Sequence, residues 1–318
     1  MHEPQQNRSP VTHDDEIDLR ELFRVLWDGK WLISGITFAA AVIAVLVSLM
    51  MPNIYRAEAL LAPNDPVGAG GLSAIAAQYG GLASLAGISL PAGSADKTAL
   101  GLEVLKSRKF ISEFIDRHDI LVPLMAAEDW DSESGELEID SDDYDVVEKQ
   151  WVREVSPPKK TIPSMQEAYE ELTELLSVSQ DKKSGFISVA VEHYSPTIAK
   201  HWVDWLVEDI NSTIMQQDVE EAQQAIEYLN EQIQGTSLAD LQNVFFKLIE
   251  EQTKTVMLAK VSNEYLFRTL DPAVAPEKKA KPKRSMIVIL AAMVGGMLGL
   301  ISQLVRRRRS LVAETSAG

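Results

Sequence analysis

Histidines, carboxylates and hydroxyl nucleophiles could carry chemistry in this chain, but none of them falls into a known catalytic or metal-binding pattern. The five histidines show no HExxH or other ligand spacing, and neither a GxSxG elbow nor a GxxxxGK[ST] phosphate loop occurs. No cysteine is present, which excludes thiolate metal sites and cysteine nucleophiles. Carboxylates are too abundant for any pair to stand out as an acid–base couple. We therefore expect no enzyme activity, no cofactor and no metal site.

The acidic residues are concentrated between Ala126 and Glu148, a stretch without any basic residue. Asp129, Asp131 and Glu133 approach the pattern of a calcium loop, but a serine stands where that loop needs glycine for its sharp turn. Because like charges repel and stay hydrated, the sequence predicts a solvated, mobile loop here. The net charge of −17 also argues against a nucleic-acid partner, since the phosphate backbone repels an acidic surface.

Two apolar runs are the strongest structural signal in the sequence. Trp31–Met51 contains no charged residue, and Met286–Val305 contains one polar amide, Gln303. Each run has the ~20 residues that a helix needs to cross a hydrocarbon core of ~30 Å. A cleaved signal peptide fits the first run poorly, because a long polar segment precedes it and Pro52 follows it. A buried core helix is the less favoured alternative, since core helices seldom lack charge over this length.

Basic residues near the two runs predict their orientation. Arg20, Arg24 and Lys30 precede the first run, only Arg56 follows it closely, and four arginines over residues 306–309 follow the second. Such clusters favour the cytoplasmic side. A second basic cluster argues the other way, but a long loop translocates largely regardless of its charge; it consists of Lys278, Lys279, Lys281, Lys283 and Arg284.

This orientation predicts a two-pass inner-membrane protein with five segments. They are a cytoplasmic tail (residues 1–30), a first transmembrane helix (31–51), a periplasmic domain (52–285), a second transmembrane helix (286–305) and a cytoplasmic tail (306–318). The first tail contains an amphipathic helix, because apolar residues recur at helical spacing between Ile17 and Trp27. Three positions are open for that helix: it lies in the membrane interface, packs against another subunit, or stands in solvent as a short stub.

Small residues form a stripe along one face of the second apolar run. They are Ala291, Gly295 and Gly299, followed by Ser302. Such stripes let two helices approach closely, as in the GxxxG motif. We expect the stripe to pack against small residues of the first run, which are Gly35, Ala39 and Ala40.

The segment between the apolar runs has the pattern of a mixed α+β domain. A strand is predicted over residues 53–63, a flexible Gly/Ala-rich loop over 67–93 and a helix over 96–118. Ser164 and Glu167 form a capping box for a short helix. Two alternating strands then flank Asp181–Gly185, which predicts a β-hairpin.

A long helix follows the hairpin. It begins at Ser195 and Pro196, which stand in the usual order of cap and first helical proline. An unbroken helix to Gln234 is ~60 Å long at 1.5 Å per residue. Gly235 ends it, and a second helix and a strand are predicted over 237–262 and 264–273. A proline- and lysine-rich lead then enters the second apolar run, with Pro272, Pro276, Pro282 and Lys283.

Three segments together resemble one protein family, the Wzz-type chain-length determinants or polysaccharide co-polymerases. The segments are DEIDLRELFRVLWDGKW, DKKSGFISVAVEHYSPTIA and VFFKLIEEQTKTVMLAKVSNEYLFRTLDPAVAPEKKAKPKR. The resemblance implies an α+β membrane protein whose periplasmic chain-length-determinant domain has an α/β base and a long projecting helix. It also implies a ring-like homo-oligomer that sets the modal length of O-antigen or a related polysaccharide. A polymerase, the lipid-carrier-linked polymer and inner-membrane lipids are the partners it implies.

Three functions remain open from the sequence. The first is a non-enzymatic co-polymerase, since the chain carries no tyrosine autokinase of the kind found in the second branch of the family. The second is a capsule or exopolysaccharide polymerisation and export subunit that works with a separate tyrosine kinase. The third is a membrane-anchored periplasmic sensor or scaffold.

Overall fold

The computed structural model describes residues 29–64, 94–235 and 238–315. The predicted amphipathic helix and the Gly/Ala-rich segment lie outside these ranges. In chain order the described elements are α1 (Lys30–Met50), β1 (Tyr55–Pro63), α2 (Ser94–Leu105), α3 (Arg108–His118), α4 (Leu121–Met125), β2 (Ala127–Trp130), β3 (Leu137–Ile139), β4 (Tyr144–Asp145), β5 (Gln150–Trp151), α5 (Met165–Leu175), β6 (Leu176–Gln180), β7 (Ile187–His193), α6 (Pro196–Gly235), α7 (Ala239–Val261), β8 (Phe267–Asp271) and α8 (Arg284–Thr315). They fall into two compact units.

The first unit is a helix pair in which α1 packs against α8. Mean hydropathy reaches 2.5 over Lys30–Met50 and 2.2 over Arg284–Gln303, so both helices are long and apolar enough to cross a membrane. Only 11% of each apolar window is buried inside the protein. A core helix would be largely buried, so the core-helix alternative does not fit. The second helix does not end at Val305 with its apolar residues but continues to Thr315.

The second unit, Pro52–Lys281, is built on a four-stranded antiparallel sheet with the strand order β6-β7-β1-β8. β7 is central and buried along most of its length, which its apolar sequence ISVAVEH permits. Register pairs Tyr55 of β1 with His193 of β7. The first half of α6 lies on β1 and β7, while α5 contacts β6 and β7 and holds α3 and α4.

The long helix predicted from the sequence is confirmed. α6 contains 40 residues, and its buried stripe includes Trp202, Leu206 and Ile210 in the core of the unit. Gly235 is its last residue, as predicted. α7 then packs against α6, and its return brings Tyr265 back to Asp218 of α6, with 2.6 Å between the hydroxyl and the carboxylate. The two helices therefore form an antiparallel hairpin that we name the helical arm.

Two predictions about the second unit were wrong. The helix expected over 96–118 is two helices, because Ser107 adopts an extended conformation and its hydroxyl accepts the amide of Phe110 as an N-cap of α3. The acidic stretch is not a loop but two small hairpins, β2–β3 and β4–β5. Aromatic side chains hold these hairpins: Trp130 meets Tyr55 with ring centroids 5.5 Å apart, and Tyr144 meets Trp151 at 5.1 Å.

Candidate functional site

Close approach of α1 and α8 depends on two glycines of the predicted stripe. A Cβ atom at Gly295 would lie 2.7 Å from the Cβ of Ala40, and one at Gly299 would lie 3.0 Å from the Cα of Ile33. Real Cβ contacts are longer, so the neighbouring helix occupies the space that a side chain would need. Glycine at these two positions is what brings the helix backbones together.

The receiving face of α1 differs from the prediction. Gly35 and Ala39 were expected to receive the stripe, but both are exposed, and nothing lies within 4 Å of a Cβ built on Gly35. One residue corresponds to about 100° of helix rotation, so these two positions lie off the face that Ile33 and Ala40 share. Ala291 is half-buried on the α8 side. The prediction was wrong for Gly35 and Ala39, whose neighbours in sequence make the contact.

The two ends of the second unit are joined by backbone hydrogen bonds. Ile54 donates its amide to the carbonyl of Lys281 at 3.0 Å, and its own carbonyl accepts the amide of Ala280 at 2.8 Å. The Nζ of Lys281 also lies 2.5 Å from a carboxylate oxygen of Glu192 on β7. Lys281 of the basic cluster therefore has a structural role, because its contacts hold the segment that follows the sheet against β7.

The predicted proline motif is spread along this exit segment. Pro272 directly follows β8, and Pro276 is half-buried beyond it. The carbonyl of Pro282 accepts the amide of Arg284 at 2.9 Å, and the carbonyl of Lys283 accepts two further amides in the first turn of α8 at 2.9 and 3.2 Å. Proline cannot donate a backbone hydrogen bond, so these positions suit a segment outside both the sheet and the helix.

Asp181 and Gly185 form the turn that the sequence predicted. One carboxylate oxygen of Asp181 accepts the amides of Lys183 and Ser184 at 2.9 and 2.7 Å, and Gly185 has a φ of 74°. The Ser184 amide is the largest cause that lowers the pKa of Asp181. At the other end of β7, the hydroxyl of Ser195 accepts the amide of Ile198 at 3.4 Å and caps α6 ahead of Pro196.

The segment that nearly matches a calcium loop forms the same kind of turn as Asp181–Gly185. Asp131 accepts the amides of Glu133 and Ser134 at 2.9 and 3.2 Å, and Gly135 has a φ of 76°. The DSESG and DKKSG segments therefore share one structure, in which the aspartate caps the turn and glycine takes the left-handed conformation. Within the described ranges, no group of three histidine or acidic side chains is arranged to hold a metal.

The capping box of α5 is confirmed, and it carries an arginine that the sequence analysis missed. Ser164 and Glu167 exchange the two hydrogen bonds of the box. The guanidinium of Arg153 approaches both carboxylate oxygens of Glu167, at 3.0 and 3.2 Å, and donates from Nε to the carbonyl of Thr161 at 2.8 Å. Arg153 is the largest cause that lowers the pKa of Glu167 to about 2. This pair anchors the segment between the acidic hairpins and α5.

Buried polar side chains on α6 are a second feature that sequence reasoning missed. Asp209 is 6% exposed and meets Arg117 at 2.8 Å and His118 at 3.0 Å. Asn211 is also buried, and its amide oxygen accepts the backbone amides of Leu266 and Phe267 at 2.7 and 2.8 Å. Their only signal in the sequence is their position beside the apolar stripe of α6. Both fix other elements to the long helix.

A groove of about 580 Å³ runs beside Asn211, between α6, β1 and the segment that leads through β8. Its acidic lining residues include Asp204, which pairs with Lys200 at 2.6 Å, and Glu264, which accepts the amide of Thr269 at 2.9 Å. These carboxylates thus take part in structural contacts. Pro272 of the predicted proline motif also lines the groove.

Comparison with protein families matches both ends of the described fold. Residues 15–118, which include α1, β1 and α3, match the Wzz family, described as "Chain length determinant protein". About a third of the chain thus matches the model of this family. Residues 238–308, which include α7, β8 and most of α8, match a second family, described as "G-rich domain on putative tyrosine kinase". The resemblance to the Wzz-type chain-length determinants is thereby confirmed over residues 15–118.

Solved structures add weaker similarities. A full-length bacterial polysaccharide co-polymerase is 16% identical with a TM-score of 0.37, over 92% of this chain and 98% of that one. A fragment of WzzB, a polysaccharide co-polymerase from Salmonella Typhimurium, is 13% identical with a TM-score of 0.29, over 72% of this chain and 100% of that one. No curated protein sequence matches. Similarity at these TM-scores supports no functional conclusion.

Proposed function

We propose that the chain regulates the length of a polysaccharide, namely O-antigen or a related surface polymer that is built on a lipid carrier. The observation that carries this proposal is the match of residues 15–118 to the chain length determinant family. That match includes α1, one of the two helices long and apolar enough to span a membrane. The motifs quoted from the hairpin and from the lead into the second helix support the same function.

The proposed location is the bacterial inner membrane, with α1 and the apolar part of α8 as two transmembrane helices. Residues 1–30 and 306–318 are cytoplasmic in this proposal, and residues 52–285 are periplasmic. The basic residues ahead of the first apolar run and after the second support this orientation. The low burial of both helices supports contact of their outer faces with lipid.

The proposed mechanism consists of binding and spacing, without a chemical step on the polymer. The helical arm supports this idea, because its length of ~60 Å suits repeated contacts along a polymer or between copies of the chain. A ring of identical subunits would present the same surface many times to the polymer or to a separate polymerase. The partners in this proposal are therefore further copies of the chain, the polymerase, the lipid-linked polymer and membrane lipids.

The decisive experiment compares the polymer with and without the gene in the source bacterium. We expect deletion to replace a narrow length distribution on a gel with a broad one, while the amount of polymer changes little. Expression of the intact chain should restore the narrow distribution. An unchanged distribution after deletion would contradict the proposal.

A second candidate is a capsule or exopolysaccharide polymerisation and export subunit that works with a separate tyrosine kinase. The match of residues 238–308 to a domain described on a putative tyrosine kinase favours it. Deletion of a kinase encoded beside this gene separates the two functions. Loss of polymer from the cell surface would favour the second candidate, whereas an unaffected length distribution would favour the first.

A further inference from the structure

A cavity of about 410 Å³ lies between the last turns of α1 and the first turns of α8. It belongs wholly to the helix pair, at the end where the apolar run of α8 begins. Aliphatic side chains form most of its wall: Val45, Leu49, Val288 and Ile289. Leu49 and Ile289 are each 59% exposed, so the apolar wall continues onto the outer surface of the pair.

Ser48 is a buried polar group in this apolar wall. It is 1% exposed, and its hydroxyl has no hydrogen-bond partner within the part of the chain that the structure describes. A helical serine usually satisfies its hydroxyl at the carbonyl four residues earlier, as Thr37 does at Ile33 in the same helix. A buried hydroxyl without a partner costs free energy, so a ligand that accepts its hydrogen bond is favoured here.

One basic side chain lines the cavity. Arg284 and Ser285 line it, and none of its described lining residues is acidic. Arg284 is also the first residue of α8, so the positive end of the helix dipole adds to its charge. A guanidinium binds the oxygens of a phosphate in a bidentate manner, which a nearby hydroxyl can extend.

We propose that this cavity binds the phosphate of an anionic membrane lipid. The phosphate lies between Arg284 and Ser48, and the first methylenes of the lipid chain lie along the aliphatic wall. Arginine at the boundary between polar and apolar residues is placed where lipid headgroups are found. The aliphatic wall favours a lipid over a soluble anion, because a soluble anion gains nothing from it. The inference goes beyond polymer-length control and uses only the membrane location proposed above.

The test uses the purified full chain in detergent, with bound lipid counted by native mass spectrometry. The probes are phosphatidylglycerol, a diacylglycerol with the same acyl chains, and inorganic phosphate. We expect phosphatidylglycerol to be retained and diacylglycerol to be lost. Arg284→Gln should weaken retention about tenfold and Ser48→Ala about threefold, in the range of hydrogen bonds to charged and neutral groups. Arg306→Gln, which removes an exposed cation elsewhere on the same helix, is the matched control and should have no effect.

Three results would overturn the proposal. They are retention of phosphatidylglycerol by Arg284→Gln at the wild-type level, equal retention of diacylglycerol, and displacement of the lipid by millimolar inorganic phosphate. Circular dichroism checks folding, and if Arg284→Gln does not fold, Ser48→Ala and the charge-preserving Arg284→Lys decide. Lipid retention is measured on purified protein, so its failure is distinct from a failure of length control in cells.

Discussion

Single residues set the distance between the two apolar helices. Gly295 and Gly299 of α8 leave no room for a side chain against α1, whereas Gly35 of α1 faces open space. A larger side chain is therefore expected to collide with α1 at Gly295 or Gly299 and to be accommodated at Gly35. Inside the second unit, single buried polar residues such as His193 and Asp209 play the corresponding part by joining elements.

Leucine at Gly295 and Gly299 is expected to separate α1 from α8 and to broaden the polymer length distribution, while polymer synthesis continues. The reason is steric, since a Cβ atom alone would already collide with Ala40 and Ile33. Gly35→Leu is the matched control, because it adds the same side chain where nothing lies within 4 Å. Gel analysis of the polymer in complemented cells measures the outcome. Equal behaviour of both variants would refute a role for this contact.

His193 is expected to make the folded state sensitive to acid. Its Nδ1 accepts the amide of Ser195 and its Nε2 donates to the carbonyl of Pro123, both at 3.0 Å, so the ring is neutral. Burial lowers the pKa of His193. The unfolded chain thus takes up a proton near the ordinary pKa of about 6.5 while the folded chain resists it, and stability falls as pH drops below that value.

Protonation of His193 alone changes the free energy of unfolding by at most about 1.4 kcal/mol per pH unit. Thermal unfolding of the full chain between pH 8 and about 5 measures it. His193→Gln should be less stable at pH 8 but should lose less stability on acidification than the wild type. His201→Gln, at an exposed histidine of α6, should keep the wild-type slope. A wild-type slope in His193→Gln would show that other groups cause it.

Elements of the second unit differ in what keeps them in place. The first half of α6 is held by the sheet, whereas its second half has α7 as its neighbour and buries few side chains, among them Ala222 and Leu229. The acidic hairpins are held by aromatic contacts and by aspartates that cap their own turns. Changes in the arm therefore test the role of its geometry, and changes in the hairpins test their contribution to stability.

Proline at Glu221 is expected to kink α6 within the helical arm, at a local cost of about 3 kcal/mol. Glu221 is exposed, so the change removes a backbone hydrogen bond without disturbing the core of the unit. We expect the protein to reach the membrane in normal amounts and the polymer length to shift or broaden. Glu221→Ala is the control and should leave the length unchanged. Normal length in the proline variant would exclude arm geometry as a determinant.

Deletion of residues 128–145 is expected to lower the stability of the protein, by about 1 kcal/mol or more. The segment forms most of both hairpins, and its Trp130 packs against Tyr55 of β1. Val147→Ser, at a side chain that is 92% exposed, is the control and should have little effect. Thermal unfolding in detergent compares the three proteins. An unchanged midpoint in the deletion would mean that the hairpins are independent of the sheet.

At the scale of the whole molecule, the two units differ in where their apolar side chains lie. The helix pair exposes large apolar side chains along most of its length, and the second unit buries a contiguous apolar core. The two ends of the second unit are joined through Ile54 and Lys281.

Topology is the prediction that belongs to this scale. Reporter fusions at Ser9 and after Val312 should register as cytoplasmic, and a fusion within residues 126–148 should register as periplasmic. The reason is the excess of arginine and lysine ahead of the first apolar run and after the second. An in-frame fusion of the same reporter to a known periplasmic protein calibrates the signal. A periplasmic signal at either terminus would contradict the two-pass topology.

Much of this protein was determined by its sequence, because the relevant signals are local. Uncharged runs of about 20 residues predict helices that can cross a membrane, and period-two and period-3.6 patterns predict the β6–β7 hairpin and α6. The ends of three elements were also predictable. Ser164 and Glu167 mark the start of α5, Gly185 the turn between β6 and β7, and Gly235 the end of α6. The resemblance to the chain-length determinants was also visible, since the motifs that carry it are continuous in sequence.

The tertiary structure decided which of these residues touch each other. Whether Gly35 or Thr37 faces α8 depends on how two helices rotate about their axes, and small residues on both faces of α1 made the sequence ambiguous. The charges of the acidic stretch predict a loop because they are a local signal, whereas the contact of Trp130 with Tyr55 joins residues far apart in the chain. The partners of Asp209 and Asn211 and the burial of Ser48 are likewise set by packing between distant segments, which no single stretch of sequence encodes.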